Sequence, residues 1–362
     1  MKAFVLKAPG QAVICDMPEP ELTNEYSAIL TPLAVSPCTS DVNTVYGNGS
    51  RKPDNLILGH ECIAKVIEVG SAVTDFQPGD RVVVPAITPD YRNYEFEDGN
   101  DRHAGRAFSG NALGRSIPGV FAEKFEIRDA DLQLAGIPEN VSDAAALMCA
   151  DMMATGFTGA EAAEIRFGDK VVVFGTGAVG LMAVAASRLR GAGEIIAVGS
   201  RAQGMKLARE FGADKVVNYR TCNIAETERN ADRVIICGGD DTVMNQAVTV
   251  AKYGTGVIVN LKLFTGDGDI SFSKFESGRG MGGKTIRSEL CRGGRRWMER
   301  MLALVENGRV QPEKLVTATL NGFEKLPQAL EMMRNKAEDT VKIMVVPEWN
   351  ENEKNNGSNS LL

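Results

Sequence analysis

The sequence predicts an α/β protein with two domains, one rich in antiparallel strands and one built on a doubly wound parallel sheet. Two patterns support this prediction. Short β-branched runs, punctuated by Gly, Pro and Asp, extend to about residue 129, and strand-like and helix-like segments alternate from residue 170. The length of 362 residues agrees, because a domain averages roughly 150 residues.

The first domain is predicted from runs such as Cys62–Gly70 and Arg81–Pro85, which have the β-branched character of strands. Between Tyr91 and Pro118 the chain is rich in Gly, Asn and Arg and shows little periodicity. Loops of this length usually have a function, so we expect a segment that faces either a substrate or a neighbouring subunit.

The second domain begins after an Ala- and Met-rich stretch with helical spacing from Val141 to Ala163. Alternating strands and helices of ordinary length predict a parallel sheet. The stretch from Thr221 to Ala231 is short for a full crossover helix. The alternating segments are, in chain order, Lys170–Phe174, Ala178–Arg190, Glu194–Val198, Gln203–Phe211, Lys215–Asn218, Arg233–Cys237, Val243–Ala251 and Gly256–Leu261.

The chain after about Gly293 is predicted to return to the first domain. A helix at Arg295–Val305 is followed later by a strand at Thr340–Val346 that has no helix after it. The last residues are rich in Asn, Glu and Ser, which favours disorder. The predicted segments are residues 1–150 for the first domain, 151–294 for the second, 295–347 for the return and 348–362 for a disordered tail.

Charge and composition exclude several classes of protein. The chain has 40 basic and 47 acidic residues, a net charge of −7, so it lacks the basic surface that nucleic acids require. No run of ~18 apolar residues and no cleavable leader pattern is present, so no membrane partner is expected. Seven scattered cysteines are an odd number, and we expect a cytoplasmic protein with free thiols.

A glycine-rich turn predicts a dinucleotide site. The segment follows an apolar strand and opens a helix, which is the context that phosphate binding by backbone amides requires. Gly175 permits the tight turn, Gly177 allows a pyrophosphate to approach, and Gly180 allows close helix–strand packing. The alternative is a simple strand–helix turn. The residues of the turn are Gly175, Thr176, Gly177, Ala178, Val179 and Gly180.

The end of the next strand favours NADP over NAD. An NAD site would place an acidic residue there for the ribose 2′-hydroxyl, whereas this chain has Gly199, Ser200 and Arg201. Glycine leaves room for a 2′-phosphate, serine can donate to it, and arginine offers charge-assisted hydrogen bonds. Tyr219, at the end of the third strand, is a further candidate for this phosphate or the adenine. The alternative is an ordinary turn with a solvated arginine.

Four scattered residues predict a catalytic metal site. Only two histidines occur in the chain, so any imidazole chemistry uses His60 or His103. Cys38, His60 and Asp151 supply a thiolate, an imidazole and a carboxylate, which leave the fourth position of a tetrahedral zinc open. Glu61 is a further or alternative ligand. Taken singly, a cysteine is more often a buried apolar residue than a metal ligand, and a histidine more often has a structural role.

At these residues the chain resembles the zinc-dependent medium-chain dehydrogenase/reductase family, and within it the NADP-dependent secondary alcohol dehydrogenases. The shared motifs spread over nearly the whole chain. They are Pro32-Leu-Ala-Val-Ser-Pro-Cys-Thr-Ser-Asp41, Ile57-Leu-Gly-His-Glu61, Pro78-Gly-Asp-Arg-Val82, Val84-Pro-Ala-Ile-Thr-Pro-Asp90, Asp151-Met-Met153, Gly175-Thr-Gly-Ala-Val-Gly-Leu-Met182 and Gly199-Ser-Arg201.

The resemblance implies a GroES-like catalytic domain with a Rossmann cofactor domain, and a zinc held by Cys38, His60 and Asp151 with Glu61 nearby. It also implies a homotetramer that interconverts small secondary alcohols and the matching ketones or aldehydes with NADP. Zinc would act as a Lewis acid, and the nicotinamide would carry the hydride. Ser40, two residues after Cys38, is the expected proton partner of the substrate oxygen.

Three departures from the family pattern concern the proton path, the pocket and a second zinc. Asn43 stands where relatives commonly have a histidine, so we expect the proton to leave through Ser40, the ribose and water. Asn111 stands where they have a tryptophan, which predicts a wider and more polar pocket. No cysteine lies between Cys62 and Cys149, so no four-cysteine structural zinc is expected there.

Other roles and functions stay open at this point. His103 is expected at the surface, and Cys149 competes with Asp151 as a ligand. The pocket-wall candidates, each equally a core residue, are Ala86, Ile87, Leu290 and Cys291. The alternative functions are a polyol dehydrogenase, a zinc-free quinone or enone reductase of the same fold, and a non-catalytic NADPH-binding protein.

Overall fold

The computed structural model of the chain describes residues 1–47, 54–92, 102–103, 110–265, 268–278 and 282–349. Much of the predicted long loop, at 93–101 and 104–109, lies outside these residues, as does the predicted tail from 350 onward. Among the residues described, no helix combines the length and the apolar character that a membrane-spanning segment needs.

The first domain contains a seven-stranded sheet and a three-stranded sheet, and most of its strand pairs are antiparallel. Its apolar side chains form one buried cluster that includes Phe4, Leu58 and Phe121. The strands are β1 Lys2–Ala8, β2 Gln11–Asp16, β3 Ala28–Val35, β4 Leu56–Ile57, β5 Cys62–Val69, β6 Arg81–Val84, β7 Phe125–Ile127 and β8 Ala135–Gly136. The helices are α1 Thr39–Tyr46 and α2 Ala130–Gln133.

Two helices joined by a π-helical turn lead into the second domain. Helix α3 (Asp143–Met148) continues through the turn at Cys149–Met153 into α4 (Ala154–Ala162). Ser142 begins α3 because its side chain accepts a hydrogen bond from the backbone of Ala145 at 3.3 Å. π-Helical turns inside helices often occur at functional sites.

The second domain is a six-stranded parallel sheet in the order β11-β10-β9-β12-β13-β14. Its central strands are buried along most of their length, as expected for a sheet covered by helices on both faces. The strands are β9 Lys170–Phe174, β10 Glu194–Gly199, β11 Lys215–Asn218, β12 Arg233–Ile236, β13 Val257–Asn260 and β14 Thr285–Ser288. The helices are α5 Ala178–Leu189, α6 Ala202–Glu210, α7 Ile224–Thr227, α8 Val243–Val250 and α9 Lys274–Gly278.

The sheet agrees with the predicted alternation, with one omission. Strand β14 was not predicted, because Thr285–Ser288 is polar and lies at the edge of the sheet, where no second neighbour buries it. Helix α7 has only four residues, as the short stretch between β11 and β12 predicted. The strand order reverses beside β9, and ligands of such sheets bind beyond the carboxyl ends of the strands at that point.

The chain then passes through α10 (Arg295–Glu306) and adds β15 (Val316–Asn321), α11 (Leu326–Asn335) and β16 (Lys342–Val346) to the first domain. Strand β16 pairs with β3 through Val345 and Val35.

The predicted disordered tail begins too early, because Trp349 is packed. Its indole donates to the carbonyl of Pro32 at 3.0 Å, and its ring lies 5.0 Å from that of Phe323. A large aromatic side chain with a hydrogen-bond partner outweighs the polar residues around it. The other two predicted boundaries, after residues 150 and 294, stay predictions.

Candidate active site

A cleft of about 1270 Å³ runs between the two domains. One part is lined by Cys38, His60 and Asp151, and another by the glycine turn after β9. Beyond the turn the lining continues to Arg201 and Tyr219 at the ends of β10 and β11. A metal site and a dinucleotide site therefore face the same space.

Four donor side chains come together at one end of this cleft. One ligand atom from each of Cys38, His60, Glu61 and Asp151 lies within 4.8 Å of all the others. Asp151 Oδ2 lies 3.9 Å from Cys38 Sγ and 3.7 Å from His60 Nε2. All four predicted ligands are thus close together, although they come from three separate segments of the chain.

Asp41 holds two of these donors in place. Its Oδ2 accepts a hydrogen bond from the backbone of Cys38 at 2.8 Å, which also caps α1. Its Oδ1 lies 3.2 Å from His60 Nδ1. A carboxylate on one imidazole nitrogen fixes the tautomer and leaves the other nitrogen free to bind a metal.

Asp151 projects into the cleft from the π-helical turn. Its Oδ1 accepts a hydrogen bond from Thr155 at 2.6 Å, so only Oδ2 faces the other donors. Burial raises the pKa of Asp151, but hydrogen bonding and charge attraction from His60 outweigh this and hold the pKa below its usual value. Burial likewise opposes charge on His60, whereas Asp41 and Asp151 raise its pKa well above the usual range.

Glu61 and Lys342 form a completely buried ion pair beside this cluster. Lys342 Nζ donates to Glu61 Oε1 at 2.8 Å and to the carbonyl of Pro37 at 3.0 Å. Burial raises the pKa of Glu61 to about 7, against the opposing effect of Lys342. The second oxygen, Oε2, is buried and has no hydrogen-bond partner among the residues described.

The donor set fits a zinc ion. Metal–ligand bonds of roughly 2.0–2.3 Å in a tetrahedron place neighbouring ligand atoms roughly 3.3–3.8 Å apart. The separations from Asp151 to Cys38 and His60 are close to this range. A buried carboxylate oxygen without a partner is costly unless a cation or water completes it, so Glu61 Oε2 also favours a metal here.

Ser40 lies at the entrance to the cluster. Its hydroxyl is 3.0 Å from His60 Nε2, the imidazole nitrogen that faces the other donors. This position agrees with the prediction that Ser40 faces the reacting oxygen of a substrate. Asn43, three residues later on α1, also lines the cleft.

Close packing within the protein requires two of the three glycines of the turn. Gly175 has a φ of +102°, and a Cβ on it would lie 2.8 Å from the backbone nitrogen of Gly238. A Cβ on Gly180 would overlap the carbonyl oxygen of Gly175. Gly177 differs, because a Cβ there would meet only Arg201, at 3.7 Å. Its open side faces the cleft, as a pyrophosphate site at the start of α5 requires.

The residues at the end of β10 also line the cleft, but Gly199 has a different role from the one predicted. A Cβ on Gly199 would overlap the Thr176 side chain, so close packing requires a glycine there irrespective of any phosphate. Ser200 donates to the hydroxyl of Tyr219 at 2.9 Å, which joins two of the predicted phosphate ligands. Arg201 donates to the carbonyl of Thr340 at 2.5 Å.

The structure also places the residues whose roles the sequence left open. Cys149 is buried and lies outside the donor cluster, with its thiol 3.4 Å from the carbonyl of Ala145, and burial raises its pKa. His103 lines the cleft and is partly exposed, and its surface role stays a prediction. The predicted wall residues that line the cleft are Ala86, Ile87, Asn111, Leu290 and Cys291.

Sequence reasoning missed three residues with clear roles. Asp41 could have been found, because an acidic residue three positions after Cys38 is typical of a helix start. Lys342 and Glu338 had no such signal, since their contacts join distant parts of the chain. Glu338 accepts a hydrogen bond from the backbone of Ala202 at 3.0 Å, at the start of α6.

Comparison with known proteins gives the family. Residues 25–139 match the model of the alcohol dehydrogenase GroES-like domain, and residues 178–307 match that of the zinc-binding dehydrogenase. The NADP-dependent isopropanol dehydrogenase of Thermoanaerobacter brockii is 44% identical over 96% of this chain and 99% of its own. The enzyme of the same name from Clostridium beijerinckii is 43% identical over 96% and 100% of the two chains.

Solved structures show the same fold. The alcohol dehydrogenase of Thermus sp. ATN1 aligns with a TM-score of 0.83 and 24% identity, covering 96% of this chain and 100% of its own. A zinc-binding dehydrogenase of Sinorhizobium meliloti 1021 bound to NADP has a TM-score of 0.83 and 23% identity, covering 96% and 99%. These similarities confirm the predicted fold class and the predicted family resemblance.

Proposed function

Because the chain belongs to the zinc-binding dehydrogenase family and carries an alcohol dehydrogenase GroES-like domain, we propose that it is a zinc-dependent, NADP-linked alcohol dehydrogenase. It interconverts small secondary alcohols and the matching ketones or aldehydes by hydride transfer. The observation that carries this proposal is the cluster of Cys38, His60, Glu61 and Asp151 in the same cleft as the glycine turn.

Cys38, His60 and Asp151 would hold the zinc, with Glu61 as a further ligand. When bound, zinc supplies a Lewis acid for the substrate oxygen, and NADP supplies the hydride carrier. Asp41 orients the imidazole of His60 and the backbone of Cys38. Ser40 donates a proton to the substrate oxygen in reduction and accepts one in oxidation. Asn43 does not titrate near neutral pH, so it orients water rather than holding the proton.

The glycine turn would hold the cofactor, and Gly177 and the start of α5 would offer backbone amides to its pyrophosphate. The residues of the turn that would contact the cofactor are Gly175, Thr176, Gly177, Ala178, Val179 and Gly180. Ser200, Arg201 and Tyr219 would hold the 2′-phosphate of the cofactor, because β10 ends without the acidic residue that favours NAD. The named preference of the two isopropanol dehydrogenases for NADP supports this assignment.

A metal and cofactor assay tests the function. We expect purified protein to contain about one zinc per chain and to reduce acetone and 2-butanone with NADPH much faster than with NADH. A preparation without zinc that still binds NADPH would contradict the proposal and favour a zinc-free reductase or a non-catalytic NADPH-binding protein. Faster turnover with NADH would contradict the cofactor assignment and favour a polyol dehydrogenase.

We also propose a homotetramer in the cytoplasm. The tetramer is implied by the family resemblance, and exposed apolar side chains near the edge strand β14 support self-association. These side chains include Leu263, Phe272 and Phe275. All seven cysteines are free thiols, which supports a reducing compartment.

Glu338 should weaken the binding of NADPH in particular. Its carboxylate occupies the positive end of α6 and lies 3.3 Å from Arg220. A 2′-phosphate at Ser200 and Arg201 would meet this like charge. Because the side chain is 57% exposed and therefore screened, we expect Glu338→Gln to lower the Kd of NADPH only about threefold. Fluorescence titration with NADPH and NADH measures both constants.

The matched control is Asp339→Asn, which removes the same charge one position away and does not contact α6. We expect this variant to change neither Kd appreciably. An equal change for NADPH and NADH in Glu338→Gln would show that the carboxylate does not face the 2′-phosphate.

A further inference from the structure

Three polar side chains line the cleft without protein partners. Asn43, Asn111 and Arg115 are each partly buried, and all three line the same cleft as the metal ligands. In the part of the chain that the structure describes, none of these side chains makes a hydrogen bond or an ion pair. An asparagine amide carries two N–H donors and an arginine guanidinium carries five. These three side chains therefore offer the cleft many unused hydrogen-bond donors.

Chain position relates these side chains to the reacting groups. Asn43 follows Ser40 by three residues on α1, so the two lie on one face of that helix. The backbone of Arg115 donates to the carbonyl of Ala112 at 3.0 Å in a turn, and Asn111 comes directly before this turn.

The turn is packed directly against the residue before His60. A Cβ on Gly114 would lie 2.7 Å from the backbone nitrogen of Gly59, so the two segments touch. Val120, after the turn, donates to the carbonyl of Gly59 at 3.1 Å. Before the turn, Thr88 donates to the carbonyl of Gly110 at 2.9 Å. The turn is therefore held on both sides, and the backbone of Arg115 is fixed next to the segment that carries His60.

Among the residues that the structure describes, no acidic side chain pairs with Arg115. Glu289, an acidic residue that also lines the cleft, lies 3.3 Å from Arg102 instead. A guanidinium ion stays charged at all ordinary pH values and prefers planar anionic oxygens. A simple ketone has no group that would use Arg115 or the amide of Asn111. A substrate with an anionic oxygen group would use both.

Building on the proposed dehydrogenase function, we propose that the substrate carries a carboxylate or phosphate in addition to its reacting hydroxyl or carbonyl. Arg115 binds this anionic group, and the amide of Asn111 donates a hydrogen bond to it, while Asn43 keeps its role in the proton path. The chemistry is unchanged. The carbonyl carbon gains a hydride from NADPH, its oxygen gains one proton, and the products are the hydroxy compound and NADP⁺.

Two matched substrate pairs test the proposal and distinguish the two anions. The first pair is 4-oxopentanoate and 2-pentanone, and the second is hydroxyacetone phosphate and hydroxyacetone. We expect the anionic member of at least one pair to have a kcat/KM about tenfold higher than its neutral partner. The pair that shows this preference identifies the carboxylate or the phosphate.

The substitution Arg115→Gln tests whether Arg115 itself binds the anionic group. We expect it to raise the KM of the preferred anion about thirtyfold and to leave the neutral ketone within about twofold. Arg309→Gln removes an exposed arginine outside the cleft and should change neither substrate. A higher kcat/KM for the neutral member of both pairs would overturn the proposal. An equal loss for both members in Arg115→Gln would also overturn it.

A binding measurement keeps this test separate from that of the dehydrogenase function. If no ketone is reduced although zinc and NADPH are bound, the proposed function fails. Calorimetry of 4-oxopentanoate and of hydroxyacetone phosphate on the NADPH complex then decides the role of Arg115. Weaker binding of either anion in Arg115→Gln than in the unchanged protein supports the anion site, and equal binding overturns it.

Discussion

Replacing Cys38 with serine should remove zinc and almost all activity while leaving the cofactor site intact. A serine hydroxyl is a poor zinc ligand because it stays protonated, so the tetrahedral set loses its only thiolate. Lewis-acid stabilisation contributes several kcal/mol to such reactions. We therefore expect kcat/KM for ketone reduction to fall by about 10⁴-fold. Metal analysis should show less than about a tenth of the zinc of the unchanged protein.

Cys15→Ser is the matched control for this prediction. Cys15 lies on β2, outside the cleft, and is also a free thiol. It should retain zinc and activity within about twofold, consistent with a substitution away from a special site. NADPH binding should persist in both variants, since the glycine turn is not altered. A Cys38→Ser protein with full zinc content would show that Cys38 is not a ligand.

Lys342→Met should be the most destabilising single substitution near the site. It leaves Glu61 as a buried carboxylate without its partner, and breaking a buried ion pair typically costs about 3–5 kcal/mol. The carbonyl of Pro37 loses its donor as well. Denaturant unfolding followed by circular dichroism should show this loss in the free energy of unfolding.

Two further variants give this experiment its control. Lys65→Met makes the same chemical change at an exposed position on β5, and its effect should stay within about 0.5 kcal/mol. Lys342→Met combined with Glu61→Gln removes both charges, and it should recover a large part of the lost stability. If the double variant is no more stable than Lys342→Met alone, the ion pair is not the source of the loss.

Local features of the sequence were sufficient to predict the cofactor turn. Strand β9, the glycines and α5 are contiguous, so their joint geometry could be inferred from one segment. The metal ligands are spread over three segments, so the sequence offered them as a set by residue chemistry, and only the fold shows that the four side chains lie together. Strand β14 was missed because an edge strand need not be apolar.

Contacts between distant segments could not be inferred in the same way. Glu61 and Lys342 are 281 positions apart, and nothing in either local sequence indicates that they pair. Gly199 looked like a residue that leaves room for a phosphate, whereas its neighbour Thr176 is what excludes a side chain. The more polar pocket was predicted from Asn111, but the place of Arg115 in the same cleft depends on the turn at 112–115.

The pairing of β16 with β3 has a consequence for how the protein is made on the ribosome. Ser36 donates to the carbonyl of Ile343 at 2.8 Å, and Lys342 donates to the carbonyl of Pro37 at 3.0 Å. The ribosome adds residues at about 5–20 per second, so residue 342 emerges at least several seconds after the early ligand segment. During that interval the segment that carries Cys38 lacks the hydrogen bonds that join Ser36 and Pro37 to Ile343 and Lys342. A nascent chain stalled before β16 should therefore acquire zinc poorly, even with every candidate zinc ligand already synthesised.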